Sequence, residues 1–437
     1  MRTRALAALS GLALLAVPTA AHASASGSKS AEGNMYQVAD VRDMPNMGDD
    51  VSDWLGRHKK PQPLRSEPAT LTEKGEDWAA RHGKTYRSDQ TYAKRHQSVA
   101  AAGQAKVTIA SCQSELANQE DSAVIDHYNF CAIKKSGHFW EKNGKVVARS
   151  TFDVVIAGTG AEGSRTNTML AAIRNYKIIS GAPTTNPTFG VYWTTSGYSG
   201  SDGSNVACAV GGEDKKYLTR DQWNAGAIAT VTISSTRAQG YSRDGVSRCG
   251  ITPKTHLVNE VPEGDGDITV TTTGIRHDSA SYMGAAATAA IFDRVVPVMH
   301  YSLTSTAHGE VAQHIYDAQT NPGSTWPPKD GKSIPGSIAS GKRLMRLYSG
   351  WDANADQAYK DNSKAKDDAC ADLQKVDGED CDEYPFASTW EGAGAGDGNF
   401  SVRYLNSVQN RSAGGSLAAW YNSDRILHFD QFYVKIS

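Results

Sequence analysis

The sequence lacks several motifs that would assign a chemistry at once. It has no C-x-x-C pair, no G-x-x-x-x-G-K-[ST] loop and no G-x-S-x-G motif. These absences argue against a cysteine zinc ribbon, a P-loop nucleotide site and the nucleophile elbow of serine hydrolases. It also has no continuous run of the roughly 18 to 20 apolar residues that a transmembrane helix needs. We therefore expect no membrane insertion.

The first 23 residues have the pattern of a secretory signal peptide. Arg2 and Arg4 precede an apolar stretch at 5–17, and residues 21–23, Ala-His-Ala, form a small-x-small cleavage site. The apolar stretch is too short to span a bilayer. We therefore predict a signal peptide at 1–23 and a secreted, extracellular protein.

Six cysteines follow the predicted cleavage site. An even number of cysteines in an exported chain indicates disulfides and not reactive thiols. The sequence does not choose among the possible pairings, and joining neighbours in chain order is the simplest of them. That choice predicts the pairs Cys112–Cys131, Cys208–Cys249 and Cys370–Cys381.

Composition divides the rest of the chain into three parts. Residues 24–105 are polar and charged, which is typical of a flexible pro-region or linker. Residues 106–301 contain β-branched and aromatic runs separated by Gly, Asn and Asp, which predicts a β-rich, sandwich-like domain of unknown function. Residues 302–437 mix helical patterns with short strand patterns. The predicted fold class is therefore α+β.

Three motifs resemble ligand sites but lack the context that those sites need. The G-x-G-x-x-G sequence at 158–163 has no helical pattern after it, so we interpret it as a turn between strands. His308 and His314 are six residues apart, about 240° around a helix, so one helical face cannot present both to zinc. The sequence DANADQ at 352–357 lacks the glycine and glutamate of a calcium loop, and we predict a solvated acidic turn.

The stretch CDEYPFASTWEGAGAGDGNFSVRY contains the most informative group of acids. Apolar–polar alternation predicts a strand at 382–387 and a second strand at 400–404, joined by a glycine-rich loop at 391–399. A helix is predicted at 415–420, with Asn410 in its N-cap region. The predicted order is strand, loop, strand, helix.

This order of elements is compatible with the hydrolysis of a phosphodiester. That reaction needs an activated water, neutralised charge on the phosphate oxygens and help for the leaving oxygen. A strand pair can hold a carboxylate rigidly, while a helix brings an amide oxygen to a hard cation, which prefers oxygen ligands. Asp382, Glu391 and Asn410 offer such oxygens. Arg403 and Arg411 can meet phosphate in a forked geometry.

Short motifs in the same region resemble the NucA/NucB type of secreted bacterial deoxyribonuclease. The motifs are D-E-Y-P at 382–385, E-G at 391–392, V-R-Y at 402–404 and N-R-S at 410–412, with H-I-Y-D-A upstream at 314–318. They occur in the order and spacing of that family. The resemblance covers residues 302 to 437 and leaves most of the chain unassigned.

The resemblance implies a small ββα-metal-type nuclease domain in which an aspartate replaces the usual histidine base. Carried over by position, Asp382 is the general base and lies at the metal, and Asn410 is the direct ligand of a divalent metal, Mg²⁺ or Mn²⁺. Two departures bear on where the helix begins. The family's N-R-G ends in Ser412 here, and an extra glycine precedes Ser416.

The resemblance also implies roles for four further residues. Glu391 is a second acid, which acts through a water-mediated metal contact or by protonating the leaving group. Glu383, beside the base, is grouped with the catalytic acids. Arg403 and Arg411 hold phosphate. The predicted function is a secreted, metal-dependent endonuclease that hydrolyses DNA with little sequence specificity.

Two other hypotheses remain open. Residues 301–437 contain 13 Lys and Arg against 18 Asp and Glu, a balance of −5, whereas DNA-binding surfaces are usually basic. In the first alternative, the β-rich domain binds an extracellular or cell-surface polymer and the nuclease-like domain is catalytically inactive. In the second, residues 24–105 form an inhibitory pro-segment.

Overall fold

The computed structural model describes residues 33–58, 106–198, 207–236, 244–258, 266–284 and 286–437. The predicted signal peptide and most of the predicted pro-region lie outside the described residues. Over the described part of the chain, the protein is mixed α and β, rich in strands and with few helices.

The elements are numbered in chain order. The strands are β1 (Asn34–Val38), β2 (Asp121–Asp126), β3 (Asn129–Lys142), β4 (Lys145–Thr159), β5 (Ala161–Glu162), β6 (Thr166–Gly181), β7 (Thr188–Tyr198), β8 (Cys208–Gly212), β9 (Lys215–Thr219), β10 (Ala229–Ser235), β11 (Ser247–Leu257), β12 (Ile268–Thr269), β13 (Thr273–Asp278), β14 (Ala289–Phe292), β15 (Val298–Tyr301), β16 (Leu344–Met345), β17 (Glu379–Tyr384), β18 (Ser401–Asn406) and β19 (Gln431–Ile436). The α-helices are α1 (Val51–His58), α2 (Ile109–Glu115), α3 (Arg220–Asn224), α4 (Gly309–Thr320), α5 (Ala353–Ala371) and α6 (Ser407–Ser423).

Two seven-stranded antiparallel sheets form the β-rich part. The first has the order β1-β3-β4-β6-β10-β8 with β2 beside β3, and the second has the order β5-β14-β13-β11-β7-β9 with β12 beside β11. One apolar cluster joins them, with Phe152 and Ile173 from the first sheet and Phe189 and Ile251 from the second. The predicted β-rich character is confirmed.

Residues 33–58 join the first sheet, although their polar composition predicts a pro-region or linker. β1 pairs with β3 along its whole length at the sheet edge. α1 packs the fully buried Trp54 against Tyr36 and Phe139, and the Trp54 indole donates to the carbonyl of Asp43. A few well-spaced apolar residues are enough to pack this segment on the first sheet. The average composition of the segment does not reveal them.

The C-terminal unit begins at β15, before the predicted domain boundary at residue 302. β15 runs parallel to β19, which pairs on its other side with β16. β17 and β18 form a separate antiparallel hairpin, and α6 follows β18 without a loop. Helices α4, α5 and α6 all pack against this hairpin. The predicted order of strand, loop, strand and helix is present.

The bounds of these elements differ from those predicted. β17 ends at Tyr384 because Pro385 has no N–H for the ladder, so the predicted strand at 382–387 lies too far along the chain. α6 begins well before the predicted 415–420. Its N-cap is Asn406 and not Asn410, and the Asn406 side chain accepts hydrogen bonds from the backbone N–H groups of residues 408 and 409. The Gly414-Gly415 pair lies within this helix, between the buried Ala413 and Leu417.

Two ion pairs, one of them fully buried, anchor the C-terminal unit on the β-rich part. Arg425, which follows α6, donates from Nη2 to Oδ1 of Asp278 on β13 at 2.6 Å, and neither side chain is more than 1 % exposed. Arg276 of the same strand donates to Asp430 at 2.6 Å. The two parts therefore share a charged, desolvated contact.

Three disulfides join the cysteines in the predicted pairs. The first links α2 to β3, the second links β8 to β11 and hence one sheet to the other, and the third links α5 to β17. A search of the described residues for helices long and apolar enough to cross a membrane finds none.

Candidate active site

A cleft of about 360 Å³ opens beside the β17–β18 hairpin. Its walls come from β17, α4, α6 and the segment 346–349, and Asp382, Glu383 and Asn410 all line it. A second depression, lined also by residues of α5, shares Glu383 and Asn410. The structure therefore brings together three of the predicted site residues, contributed by a strand and a helix.

Strand alternation places the two neighbouring acids of β17 in different surroundings. Asp382 is buried and faces α4, where it contacts His314. Glu383 lies towards α5 and is within the electrostatic range of Lys366. Asn410 is in the first turn of α6, and the Asn406 cap holds that turn.

His314 was missed as a functional residue by sequence reasoning. It is fully buried, its Nδ1 lies 2.7 Å from Oδ2 of Asp382, and its Nε2 lies 2.7 Å from Oγ of Ser401. Because an ionised carboxylate only accepts hydrogen bonds, the hydrogen is on Nδ1 of His314, which donates the hydrogen bond to Asp382. The H-I-Y-D-A motif, in which His314 is the first residue, was the available sequence signal.

Glu383 is in an environment that disfavours its charge. Burial, aided by the negative charge of Asp382, raises the pKa of Glu383 to about 8, while Lys366 and a hydrogen bond from the Ala387 N–H act in the opposite direction. A cation in the cleft would favour the ionised form. Since a bound cation would reverse the effect of burial on the protonation of Glu383, we assign no proton transfer to this residue.

Glu391, Arg403 and Arg411 do not line this cleft. Glu391 accepts a hydrogen bond at 2.9 Å from the N–H of Met345, and burial raises its pKa. Arg403 pairs with Asp317 at 2.9 Å, and the largely exposed Arg411 pairs with an acid of β17 at 3.0 Å. Their predicted catalytic and phosphate-binding roles stay predictions.

The other motifs have structural roles. The glycine motif at 158–163 spans the end of β4 and the short β5, and no helix follows, so its interpretation as a turn is confirmed. His308 is the N-cap residue of α4. Asp352 caps α5 by accepting from the N–H of Ala355 at 2.7 Å, so the predicted acidic turn is a helix start.

The oxygen atoms around the cleft fit a hard divalent cation. Asp382 and Glu383 offer carboxylate oxygens and Asn410 an amide oxygen, the ligand types that Mg²⁺ and Mn²⁺ prefer. Oδ2 of Asp382 is engaged by His314, which leaves Oδ1. Within the part of the chain that the structure describes, no group of three or more His, Cys, Asp and Glu is placed to hold a metal. With two carboxylates and one amide as the available donors, a cation held here would keep several waters.

Comparison with known proteins bears on the same region. No curated protein and no solved structure matches the chain significantly. The family model described as deoxyribonuclease NucA/NucB matches residues 337–435. The match includes the β17–β18 hairpin, α5 and α6, and it begins after α4. Residues 337–435 therefore form a domain of the NucA/NucB deoxyribonuclease family.

Proposed function

We propose that this protein is a secreted, divalent-metal-dependent endonuclease that hydrolyses DNA with little sequence specificity. One observation carries the proposal: Asp382 on a hairpin and Asn410 on the following helix line one cleft of a deoxyribonuclease-family domain. The hairpin and helix form the ββα unit that would hold the metal.

In this proposal Asp382 is the general base that takes a proton from the attacking water. His314 orients it by donating to Oδ2, which leaves Oδ1 available to accept the proton. Asn410, with Asp382, would hold Mg²⁺ or Mn²⁺, which when bound would acidify a water and neutralise charge on the phosphate. A bound cation would favour the ionised form of Glu383, which would then add negative charge to the same cleft.

Export is part of the proposal. Three disulfides are typical of proteins that fold in an oxidising compartment. The predicted signal peptide would direct the chain there. Extracellular DNA is then the substrate that the enzyme meets.

The test is plasmid nicking by the full-length protein and its Asp382→Asn variant, with and without EDTA. Loss of a general base lowers the rate by about 10²- to 10⁴-fold, and the neutral amide should leave the thermal unfolding temperature nearly unchanged. Asp397→Asn makes the same acid-to-amide change in the exposed loop before β18 and should keep full activity.

Two outcomes would count against this proposal. If Asp382→Asn retains more than about a tenth of the wild-type nicking rate, the assignment of the base is wrong. If the folded wild-type protein shows no EDTA-sensitive nicking, an inactive domain beside a polymer-binding β-rich domain becomes the better hypothesis.

A further inference from the structure

The candidate cleft contains a buried cation whose charge has no close acidic partner. Arg346 lines the cleft and is only 8 % exposed. No ion pair joins its guanidinium to an acid among the residues that the structure describes. Asp430 is an acid whose charge acts on Arg346, but the Asp430 carboxylate pairs with Arg276 at 2.6 Å.

The guanidinium of Arg346 is held in place and only partly satisfied. Both of its side-chain hydrogen bonds leave from Nη1, to the carbonyl of Ile426 and to the sulfur of Met283. The guanidinium carbon lies 4.5 Å from the ring centre of Tyr421, and two further tyrosines pack at 5.7 and 5.8 Å. Nε and Nη2 donate to no described residue.

A desolvated cation without a counter-charge is unfavourable unless a ligand supplies that charge. A guanidinium with a fixed plane and two free donors matches a phosphate, which it can bind through two parallel hydrogen bonds. Arg403 and Arg411, by contrast, already have acidic partners. We propose that Arg346 binds a phosphate group of the DNA strand in this cleft.

This inference rests on the proposed function and names the group that would bind its substrate. It also gives a way for the C-terminal region to bind DNA despite its excess of acidic over basic residues. A single buried arginine, with tyrosines on its faces, attracts phosphate more strongly than a solvated surface lysine does. The acidic end of the cleft would then hold the cation and the Arg346 end the phosphodiester.

The experiment measures binding of a labelled single-stranded oligonucleotide in Mg²⁺, using full-length Asp382→Asn protein so that the DNA persists. Binding is followed as NaCl is raised from about 50 to about 200 mM. Adding Arg346→Gln should weaken affinity and reduce the slope of log K against log[NaCl] by about 0.7, the value for one lost phosphate contact to a single strand. A merely structural role would not change this slope.

Arg343→Gln is the matched control. Arg343 also stacks on a tyrosine, with 5.8 Å between its guanidinium carbon and the ring centre of Tyr433. Arg343 precedes β16 in the chain, whereas Arg346 follows it, and Arg343 does not line the cleft. Its replacement should leave both affinity and slope unchanged.

Arg346→Lys keeps the charge but not the two parallel hydrogen-bond donors of the guanidinium. It tests the inference if Arg346→Gln unfolds. It should keep the salt slope and bind DNA about ten-fold more weakly, as expected for a lost charged hydrogen bond. An Arg346→Gln slope equal to the parent's, or an Arg346→Lys affinity equal to it, overturns the inference. If the wild type still nicks DNA in that case, the nuclease proposal stands; if it does not, the nuclease proposal fails separately.

Discussion

At the scale of single residues, the site depends on how Asp382 is held. His314 and Ser401 form a buried chain of hydrogen bonds that ends on one oxygen of this carboxylate. Such a chain fixes the orientation of a ligand or base, and it is costly to leave incomplete because its members are buried. His314 is therefore a positioning residue, one step from the chemistry.

Two substitutions of His314 should distinguish the effect of its hydrogen bond to Asp382 from that of its hydrogen bond to Ser401. In His314→Asn the amide nitrogen can occupy the position of Nδ1 and still donate to Asp382, whereas His314→Gln places its nitrogen nearer to Ser401. We expect a loss of about 10- to 100-fold in metal affinity or activity for Gln and a clearly smaller loss for Asn. The measurement is plasmid nicking over a Mg²⁺ titration.

A third variant, Ser401→Ala, serves as the comparison for that experiment. It removes the far end of the chain and leaves the bond to Asp382, so its metal requirement should stay close to that of the wild type. Equal losses for His314→Asn and His314→Gln would show that His314 supports the fold and does not orient Asp382.

The site residues could be predicted from sequence only in part. Asp382, Glu383 and Asn410 belong to short motifs, and their surroundings follow from one hairpin and one helix. His314 has only the H-I-Y-D-A motif as a signal and Arg346 has none, because what distinguishes them is the presence or absence of partners far along the chain. Arg346 is notable only once three tyrosines are seen around it and no ion pair joins it to an acid of the described residues.

At the scale of elements, the junction between β18 and α6 sets the position of Asn410. The chain passes from the last residue of β18 directly into the helix, and Asn406 is both the end of the strand and the N-cap. Its side-chain oxygen accepts from the backbone N–H groups of Val408 and Gln409 at 3.0 and 3.2 Å. The first turn, which carries Asn410, is thereby ordered.

Asn406→Ala should loosen this turn. Loss of an N-cap costs about 1 kcal/mol of the free energy of unfolding, and the Mg²⁺ concentration needed for half-maximal nicking should rise. Asn406→Asp keeps an oxygen at the cap and should behave like the wild type in both measurements. Unchanged unfolding and metal dependence in Asn406→Ala would show that the hairpin alone positions Asn410.

At the scale of the whole molecule, the nuclease-family domain is not a separate body. The Arg425–Asp278 pair crosses to the β-rich part and is nearly inaccessible to water. A fragment that begins at residue 302 would lack β15, which pairs with β19, and would leave Arg425 without its carboxylate. Such a fragment is therefore an unsuitable test of whether residues 24–105 inhibit activity.

Asp278→Ala in the full-length protein should destabilise the C-terminal unit. Removing one partner of a buried ion pair costs about 3 to 5 kcal/mol because the other charge stays buried. Asp368→Ala, which breaks an exposed pair with Lys364 on α5, should cost less than about 1 kcal/mol. Urea unfolding measures both values, and a cost for Asp278→Ala as small as that of Asp368→Ala would contradict an anchoring role.

The sequence by itself determined the local elements and their order. The strand–loop–strand–helix order around Asp382 and the β-rich character of 106–301 follow from side-chain periodicity, which acts over a few residues. The observed disulfides are the simplest pairing, in chain order, although the sequence does not select it. Tertiary structure alone decided the partners: His314 with Asp382, Arg425 with Asp278, and the tyrosines around Arg346. Such contacts join residues far apart in the chain, and their formation depends on how all the elements pack together.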